Sequence, residues 1–93
     1  MYTERAVFSR RPVSDYRATI KSRLGHFRKL CNLSQQQAAR LCGVARSTWQ
    51  AWEDLNKTAL PDAAQIAALA DAVRIEPSAA LNWLVGGEER KAL

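Results

Sequence analysis

The sequence predicts an all-α domain of five short helices, and three observations support this fold class. Apolar residues recur at steps of three and four, residues suited to open a helix precede several of these stretches, and no stretch alternates like a β-strand. At 93 residues the chain has room for one domain with one core. No apolar run approaches the roughly 18–20 residues that span a bilayer, and the start MYTERAVFSRRP lacks the apolar centre of a signal peptide. We therefore expect a cytoplasmic protein.

Residues 1–13 are predicted to form a flexible basic arm, because they show no sustained periodicity and contain Pro12, Arg10 and Arg11. The net charge of +5 is concentrated at this end of the chain, since residues 1–31 hold eight basic and two acidic side chains. Such an asymmetry indicates a polyanionic partner at the N-terminal side and centre of the domain. The alternative is a merely solvated basic helix, and charge alone does not decide between the two.

The first helix is predicted to run from an N-cap at Ser14 to about Leu30. Gly25 lies inside it and costs about 1 kcal/mol relative to alanine, so a close contact with another helix is one reason for a glycine there. The helix carries an apolar stripe at steps of three and four, formed by Tyr16, Ile20, Leu24, Phe27 and Leu30. Its basic residues fall largely outside that stripe, and they are Arg17, Lys21, Arg23, Arg28 and Lys29.

The second and third helices are short and are joined by a tight turn. Ser34 followed three residues later by Gln37 is a capping box that opens the second helix. Gly43 can adopt the left-handed conformation that ends this helix near residue 42. The third helix is predicted from about residue 46 to residue 55, although Ala45 offers no side-chain acceptor at its start.

Two further helices complete the domain, which is predicted to span residues 14–87, with residues 88–93 as a C-terminal tail. Asp62 followed by Gln65 gives the fourth helix a second box-like start. Pro77 suits the first position of the fifth helix, and the pair Gly86-Gly87 ends it.

Nothing in the sequence predicts an enzyme, a metal site or a cofactor. Cys31 and Cys42 lack the spacing of a zinc site and are interpreted as reduced core thiols. The single histidine, His26, lies on a helix with no nucleophile spaced to join it, and the acidic residues do not cluster.

Residues 34–54 carry the strongest functional signal, because a helix, a tight glycine turn and a second helix form a helix-turn-helix unit. Any α-hairpin in a bundle fits that geometry as well, so the side chains must decide. Trp49 and Trp52 share one face of the third helix and are predicted to pack inside, although Trp49 lies near the border of that face. The remaining arc offers arginine and glutamine, which can pair with guanine and adenine respectively. The alternative is that this arc is an ordinary solvated face. The residues on this arc are Arg46, Ser47, Gln50 and Ala51, with Asp54.

Residues 20–87 resemble the helix-turn-helix domain of the lambdoid phage repressor and Cro family, often called XRE-like. The resemblance rests on LSQQQAARLCGVARSTWQAWE and on the closing LNWLVGG. It implies a five-helix DNA-binding domain in a bacterial or phage-encoded protein acting at the nucleoid. The chain departs from the family pattern by placing Arg46 where several relatives have glutamine, and tryptophans where they have smaller aliphatic residues.

The resemblance also implies roles for individual positions. Gln35 would meet a DNA phosphate and brace a base-reading side chain, and Arg28 would pair with Glu53 as a structural ion pair. The third helix would contact bases through Arg46 and Ser47 first and through Gln50 and Ala51 later. Further phosphate contacts are expected after the third helix and from the basic arm, at Asn56, Lys57, Thr58, Arg10 and Arg11.

The expected function is sequence-specific binding of double-stranded DNA by a homodimeric repressor at a near-palindromic operator. Leu81, Trp83 and Leu84 of the fifth helix are the candidate dimer surface, and the alternative is that Trp83 closes the core of one chain. A rival hypothesis is the antitoxin of a toxin–antitoxin pair, which would bind its own promoter and hold a toxin protein through the arm or the fifth helix. No membrane partner is expected.

Overall fold

The computed structural model describes residues 12–87, which form five α-helices joined by short loops and contain no β-strand. The predicted all-α fold is therefore confirmed. Residues 1–11 and 88–93 lie outside the described residues, and with them most of the predicted arm, including Arg10 and Arg11, and the predicted tail. None of the described helices is long and apolar enough to cross a membrane. The helices are α1 (Val13–Leu30), α2 (Gln35–Cys42), α3 (Arg46–Glu53), α4 (Ala63–Ala72) and α5 (Pro77–Leu84).

The starts of α2 and α4 are the two predicted capping boxes. The Gln37 backbone N–H donates to the Ser34 hydroxyl at 3.0 Å, and the Ser34 N–H donates to the Gln37 side chain at 2.8 Å. Asp62 and Gln65 exchange the same two bonds, each at 2.8 Å. Each box satisfies N–H groups that a helix start otherwise leaves without a partner.

Two predicted helix ends differ from the structure. Ser14 is not the N-cap of α1, because Pro12 occupies that position without a side-chain cap and Val13 is already helical. The first helix therefore begins at Val13, one residue before the predicted N-cap. The third helix ends at Glu53 and not at residue 55, since the Asp54 carboxylate accepts the Asn56 N–H at 2.9 Å. This local bond replaces a further helical turn.

The core lies where α1, α3 and α5 meet α2 and α4. In the packing, α2 contacts both α3 and α4, α1 contacts α3 and α5, and α4 contacts α5. Leu30, the last member of the predicted α1 stripe, is instead 67% exposed. The main buried side chains of the core are Leu24, Phe27, Ala38, Ala39, Trp49, Trp52, Ile66, Leu69 and Leu84.

Gly25 allows α1 to approach the end of α3 closely. A Cβ atom at this position would lie 3.3 Å from Glu53 Oε1 and 3.4 Å from its carboxyl carbon. The glycine therefore leaves space for the Glu53 carboxylate between the two helices. This is the close helix contact that a glycine at this position suggested.

Lys21 is an exception to the expectation that the basic residues of α1 fall largely outside its apolar stripe. Its side chain is 1% exposed, and Nζ donates to the carbonyl oxygens of Ala51, Trp52 and Ala59 at 2.8, 3.2 and 2.7 Å. Burial is the main cause that lowers the pKa of this ammonium group. Lys21 thus joins α1 to the end of α3 and to the loop that follows.

Both cysteines are free thiols and are half-buried. Cys42 Sγ lies 3.7 Å from the carbonyl oxygen of Gln65, and burial raises the pKa of this thiol to about 11. Burial also raises the pKa of Cys31. Within residues 12–87 no group of three or more histidine, cysteine or acidic side chains could hold a metal ion.

Candidate nucleic-acid interface

The turn between α2 and α3 sets the angle between two short helices. Gly43 has a φ of 73°, in the left-handed region that strains side chains other than glycine. Its N–H donates to the Arg40 carbonyl at 3.1 Å, and the Val44 N–H reaches back to the Ala39 carbonyl at 3.0 Å. This closing pattern ends α2 and redirects the chain, so that α3 starts three residues later.

The helix α3 has one buried face and one exposed face. Trp49 is 0% exposed and Trp52 is 3% exposed, with ring centroids 5.5 Å apart and planes inclined by 59°. Trp49 therefore packs inside, as predicted, although the helical spacing puts it near the border of that face. On the opposite side Arg46, Ser47 and Gln50 are exposed. Ala51 is half-buried, and its carbonyl oxygen accepts a hydrogen bond from Lys21.

The Glu53 carboxylate is the centre of the hydrogen-bond network beneath the exposed face. Arg28 donates to it twice, from Nε to Oε2 at 2.8 Å and from Nη2 to Oε1 at 3.3 Å. Gln35 Nε2 donates to Oε1 at 3.1 Å, and the indole N–H of Trp49 donates to Oε2. Arg28 also donates to the Leu33 carbonyl at 3.1 Å, so its guanidinium group is engaged inside the chain.

The bonds around Glu53 decide its protonation state. Burial alone would raise the pKa of Glu53, but the hydrogen bonds from Arg28, Trp49 and Gln35, together with the charge of Arg28, outweigh burial and lower the pKa. The carboxylate therefore stays ionised and keeps accepting bonds from three helical elements. This network fixes α3 against α1 and α2.

Gln35 connects this network to the exposed face of α3. While its amide N–H donates to Glu53, its amide oxygen accepts a bond from Gln50 Nε2 at 3.3 Å. Glu53 therefore fixes the Gln35 side chain, and Gln35 in turn restrains Gln50. Gln35 and Arg46 also line an open polar cleft at the start of α2, together with Arg28.

The loop after α3 presents the three polar residues expected to contact phosphate. Asn56, Lys57 and Thr58 are all exposed. The loop is anchored at both ends by Lys21, which binds carbonyl oxygens of α3 on one side and of Ala59 on the other. The periodicity of α1 could not reveal this anchor, because the partners of Lys21 lie 30 to 38 residues away.

Arg23 is a second basic side chain of α1 with a structural role that the sequence did not indicate. Its Nη1 atom donates to the carbonyl oxygens of Trp83 and Gly87 at 2.7 and 3.2 Å. The guanidinium carbon also lies 4.8 Å from the centroid of the Trp83 ring, and His26 stacks on that ring at 5.7 Å. These contacts hold α5 against α1.

The three residues of the candidate dimer surface lie in different environments. Leu84 is 0% exposed and belongs to the core of the single chain, so it is not a surface residue. The tryptophan, Trp83, is half-buried and packs against the core. Leu81 is 42% exposed and borders an apolar cleft with Ile66 and Pro77.

Comparison with known proteins agrees with this geometry. Residues 22–83, about two thirds of the chain, match the model of a family described as a helix-turn-helix domain. No curated protein and no solved structure gave a match. The matched range contains both capping boxes, the glycine turn, the buried tryptophans and the Glu53 network. The chain therefore belongs to the helix-turn-helix domain family, an XRE-like family of DNA-binding domains.

Proposed function

We propose that this protein is a transcriptional repressor that binds a specific near-palindromic operator as a homodimer, with α3 lying in the major groove. The observation that carries the proposal is the division of α3 into a buried tryptophan face and an exposed face bearing Arg46, Ser47 and Gln50. In helix-turn-helix proteins the second helix of the unit places its N-terminal residues against base edges. Arg46 and Ser47 are the first two residues of α3.

Base recognition follows from the chemistry of two of these side chains. Arg46 is suited to donate two hydrogen bonds to guanine O6 and N7, and Gln50 to form a bidentate pair with adenine N6 and N7. The bond between Gln50 and Gln35 supports this role, because a braced amide loses less conformational freedom on binding. Ser47 and Ala51 complete the proposed base-contacting set, Ser47 through its hydroxyl and Ala51 through its methyl group.

Phosphate contacts position such a domain on the duplex without choosing its sequence. We assign this role to Gln35 at the start of α2 and to Asn56, Lys57 and Thr58 in the loop after α3. Arg10 and Arg11 of the arm are proposed to add affinity that depends on salt concentration. Arg28 is proposed to be structural and not a phosphate ligand, because all three of its guanidinium nitrogens are already engaged, Nε and Nη2 with Glu53 and Nη1 with the Leu33 carbonyl oxygen.

Selection from random double-stranded DNA tests the recognition face. The wild type is expected to enrich one near-palindromic sequence. Arg46→Gln is expected to lose the preference for guanine at one position in each half-site, at a cost of about 1–3 kcal/mol for the wild-type operator, and to shift that position towards adenine. Arg74→Gln is the matched control, since it removes one positive charge from an exposed residue between α4 and α5. If both variants weakened all sequences equally, α3 would not be the reading helix.

The dimer is proposed to form around Leu81. An exposed leucine beside an apolar cleft of Ile66 and Pro77 offers area that a second chain can bury. Two copies related by a two-fold axis would read half-sites about 34 Å apart. Sedimentation analysis of Leu81→Asp tests this surface, and a variant that stays dimeric would place the interface elsewhere.

The antitoxin hypothesis makes a different prediction from the same domain. A toxin protein encoded beside this chain would co-purify with it and would bind the purified chain at a surface other than α3. The homodimeric repressor predicts that the chain occupies its operator fully without such a partner. Since both hypotheses predict operator binding, co-purification of such a neighbouring protein is the result that separates them.

A further inference from the structure

A polar cleft of about 180 Å³ lies on the same side of the domain as the loop after α3. One wall is the first turns of α1, and the other is the loop between α3 and α4. The residues that matter for its chemistry are Ser14, Arg17, Lys21, Asn56, Lys57 and Thr58.

The cleft gathers positive charge that the fold leaves without a partner. Arg17 and Lys57 both lie close enough to Lys21 for their charges to oppose its protonation, and Asp54 is the acidic group that offsets them. Within residues 12–87, neither Arg17 nor Lys57 forms an ion pair or a side-chain hydrogen bond. The ion pair in this part of the chain joins Arg28 to Glu53. Like charges held together cost free energy, and an anion placed between them would relieve that cost.

Neutral donors line the same cleft. Ser14 and Thr58 contribute hydroxyl groups, and Asn56 contributes a side-chain amide. Cationic groups together with hydroxyl and amide donors are the set that proteins use to hold the phosphates of DNA. A carboxylate does not enter the lining of the cleft.

The two walls are also held at a set separation. Lys21 extends from α1 and donates to carbonyl oxygens before and after the loop, at Ala51, Trp52 and Ala59. Because this lysine is buried and triply bonded, Arg17 on α1 and Lys57 on the loop are attached to one rigid support. A site that is formed before binding needs little ordering when the ligand arrives.

We propose that this cleft binds one backbone phosphate of the DNA duplex, with Arg17 and Lys57 as its two cationic ligands. The inference rests on the proposed function, and it adds Arg17 of α1 to the loop residues as a phosphate ligand.

The salt dependence of DNA binding measures this contact. A phosphate contact contributes about −0.9 to the slope of log Kobs against log salt concentration. Arg17→Gln is therefore expected to make the slope shallower by up to about 0.9 for each protomer, or about 1.8 for the proposed homodimer, on operator and on unrelated duplex alike. Arg17→Lys keeps the charge and is expected to retain most of the slope. Lys29→Gln is the matched control, because it removes the same charge from an exposed residue in the last turn of α1. Circular dichroism of each variant checks that the helices are intact.

Combining substitutions tests whether the two ligands share one phosphate. If they do, the loss in binding free energy for Arg17→Gln together with Lys57→Gln will differ from the sum of the single losses. Additive losses would mean two separate contacts and would overturn the shared site. Equal slopes for Arg17→Gln and Lys29→Gln would overturn the role of Arg17.

The outcomes also separate this site from the proposed function. If the wild type selects an operator and Arg17→Gln behaves like Lys29→Gln, the site is wrong while the repressor function stands. If the wild type binds duplex DNA without sequence preference and Arg17→Gln still flattens the slope, the site stands and sequence reading fails. A wild type that binds no duplex at all would overturn both.

Discussion

Replacing Lys21 with methionine tests whether a buried ammonium group stabilises the junction of α1 with the end of α3. The lysine donates to three backbone carbonyl oxygens at 2.7 to 3.2 Å and is 1% exposed. Methionine has a similar length and volume, so the packing of the side-chain stem is kept while the three donors are removed.

The loss of the lysine hydrogen bond in Lys21→Met has a different cost at each of the three carbonyl oxygens. The Ala51 oxygen also accepts the Asp54 N–H at 3.2 Å, and Ala59 is an exposed residue whose oxygen water can reach. The Trp52 oxygen receives its bond in the buried interior, and leaving a buried acceptor unsatisfied costs about 1–3 kcal/mol. Removing the ammonium group returns part of its own desolvation cost. We expect a net loss of about 2 kcal/mol in the free energy of unfolding, which lowers Tm by about 8–16 °C in a domain of this size.

Urea unfolding followed by circular dichroism measures the loss, with Lys29→Met as the control. Lys29 is an exposed residue of the same helix, so the identical chemical change there should stay within about 0.5 kcal/mol of the wild type. Equal stability of Lys21→Met and Lys29→Met would refute the reasoning. It would mean that the desolvation cost of the buried ammonium group cancels its three hydrogen bonds, as happens for some buried charges.

Three other substitutions or reactions follow from the same structure. Alanine in a helix interior usually raises the free energy of unfolding by roughly 1 kcal/mol relative to glycine. Gly25→Ala is expected to show none of this gain, because its Cβ would press on the Glu53 carboxylate at 3.3 Å. The full gain in urea unfolding would show that the carboxylate moves freely. The pKa of Glu53 is lowered in the fold. The ionised carboxylate therefore adds to the free energy of unfolding at pH values above the pKa of the unfolded state, and this contribution is lost as the pH falls through the pKa of the folded state. The stability difference between the wild type and Glu53→Gln, followed by urea unfolding, should therefore shrink in acid, and a constant difference would contradict this. Cys42, half-buried and with its pKa raised to about 11, is expected to react with a thiol reagent far more slowly in native protein than in urea; equal rates would show that the thiol is open to solvent.

The elements that the sequence predicted well depend on residues three or four positions apart. The capping boxes at Ser34 and Asp62 and the left-handed Gly43 are local arrangements, and the structure contains all three. Backbone groups at a helix end need a partner nearby, and the neighbouring side chain that supplies it is visible in the sequence.

Roles that depend on distant residues could not be read in the same way. Lys21 and Arg23 have the composition and spacing of solvated helix residues, yet their acceptors lie between 30 and 64 residues away in the chain. Leu30 shows the opposite failure of the pattern, because it fits the apolar stripe of α1 but is exposed at the end of that helix. Leu84 was predicted to lie on a dimer surface, but the core of the single chain encloses it. Periodicity indicates which residues share a face, and only the packing decides which part of that face is covered.

The basic residues of α1 therefore fall into two groups with different roles. Lys21, Arg23 and Arg28 donate to groups within the chain, which leaves Arg17 and Lys29 as the basic side chains of this helix that form no hydrogen bond or ion pair with another described residue. The net charge therefore overstates how much of α1 is available to a polyanion. The engaged residues act on DNA binding indirectly, because they hold the helix and the loop that present the reading and phosphate-binding side chains.

The supports of α3 are concentrated at its C-terminal end. Lys21 and the network around Glu53 fasten that end, whereas the first turn begins at Ala45 without a side-chain cap. Arg46 stands on this lightly supported turn and forms no ion pair in the described part of the chain. Changes at Arg46 should thus alter base preference while leaving the free energy of unfolding within about 0.5 kcal/mol of the wild type. Changes at Glu53 should reduce stability and binding together, because they release the helix on which every reading residue depends.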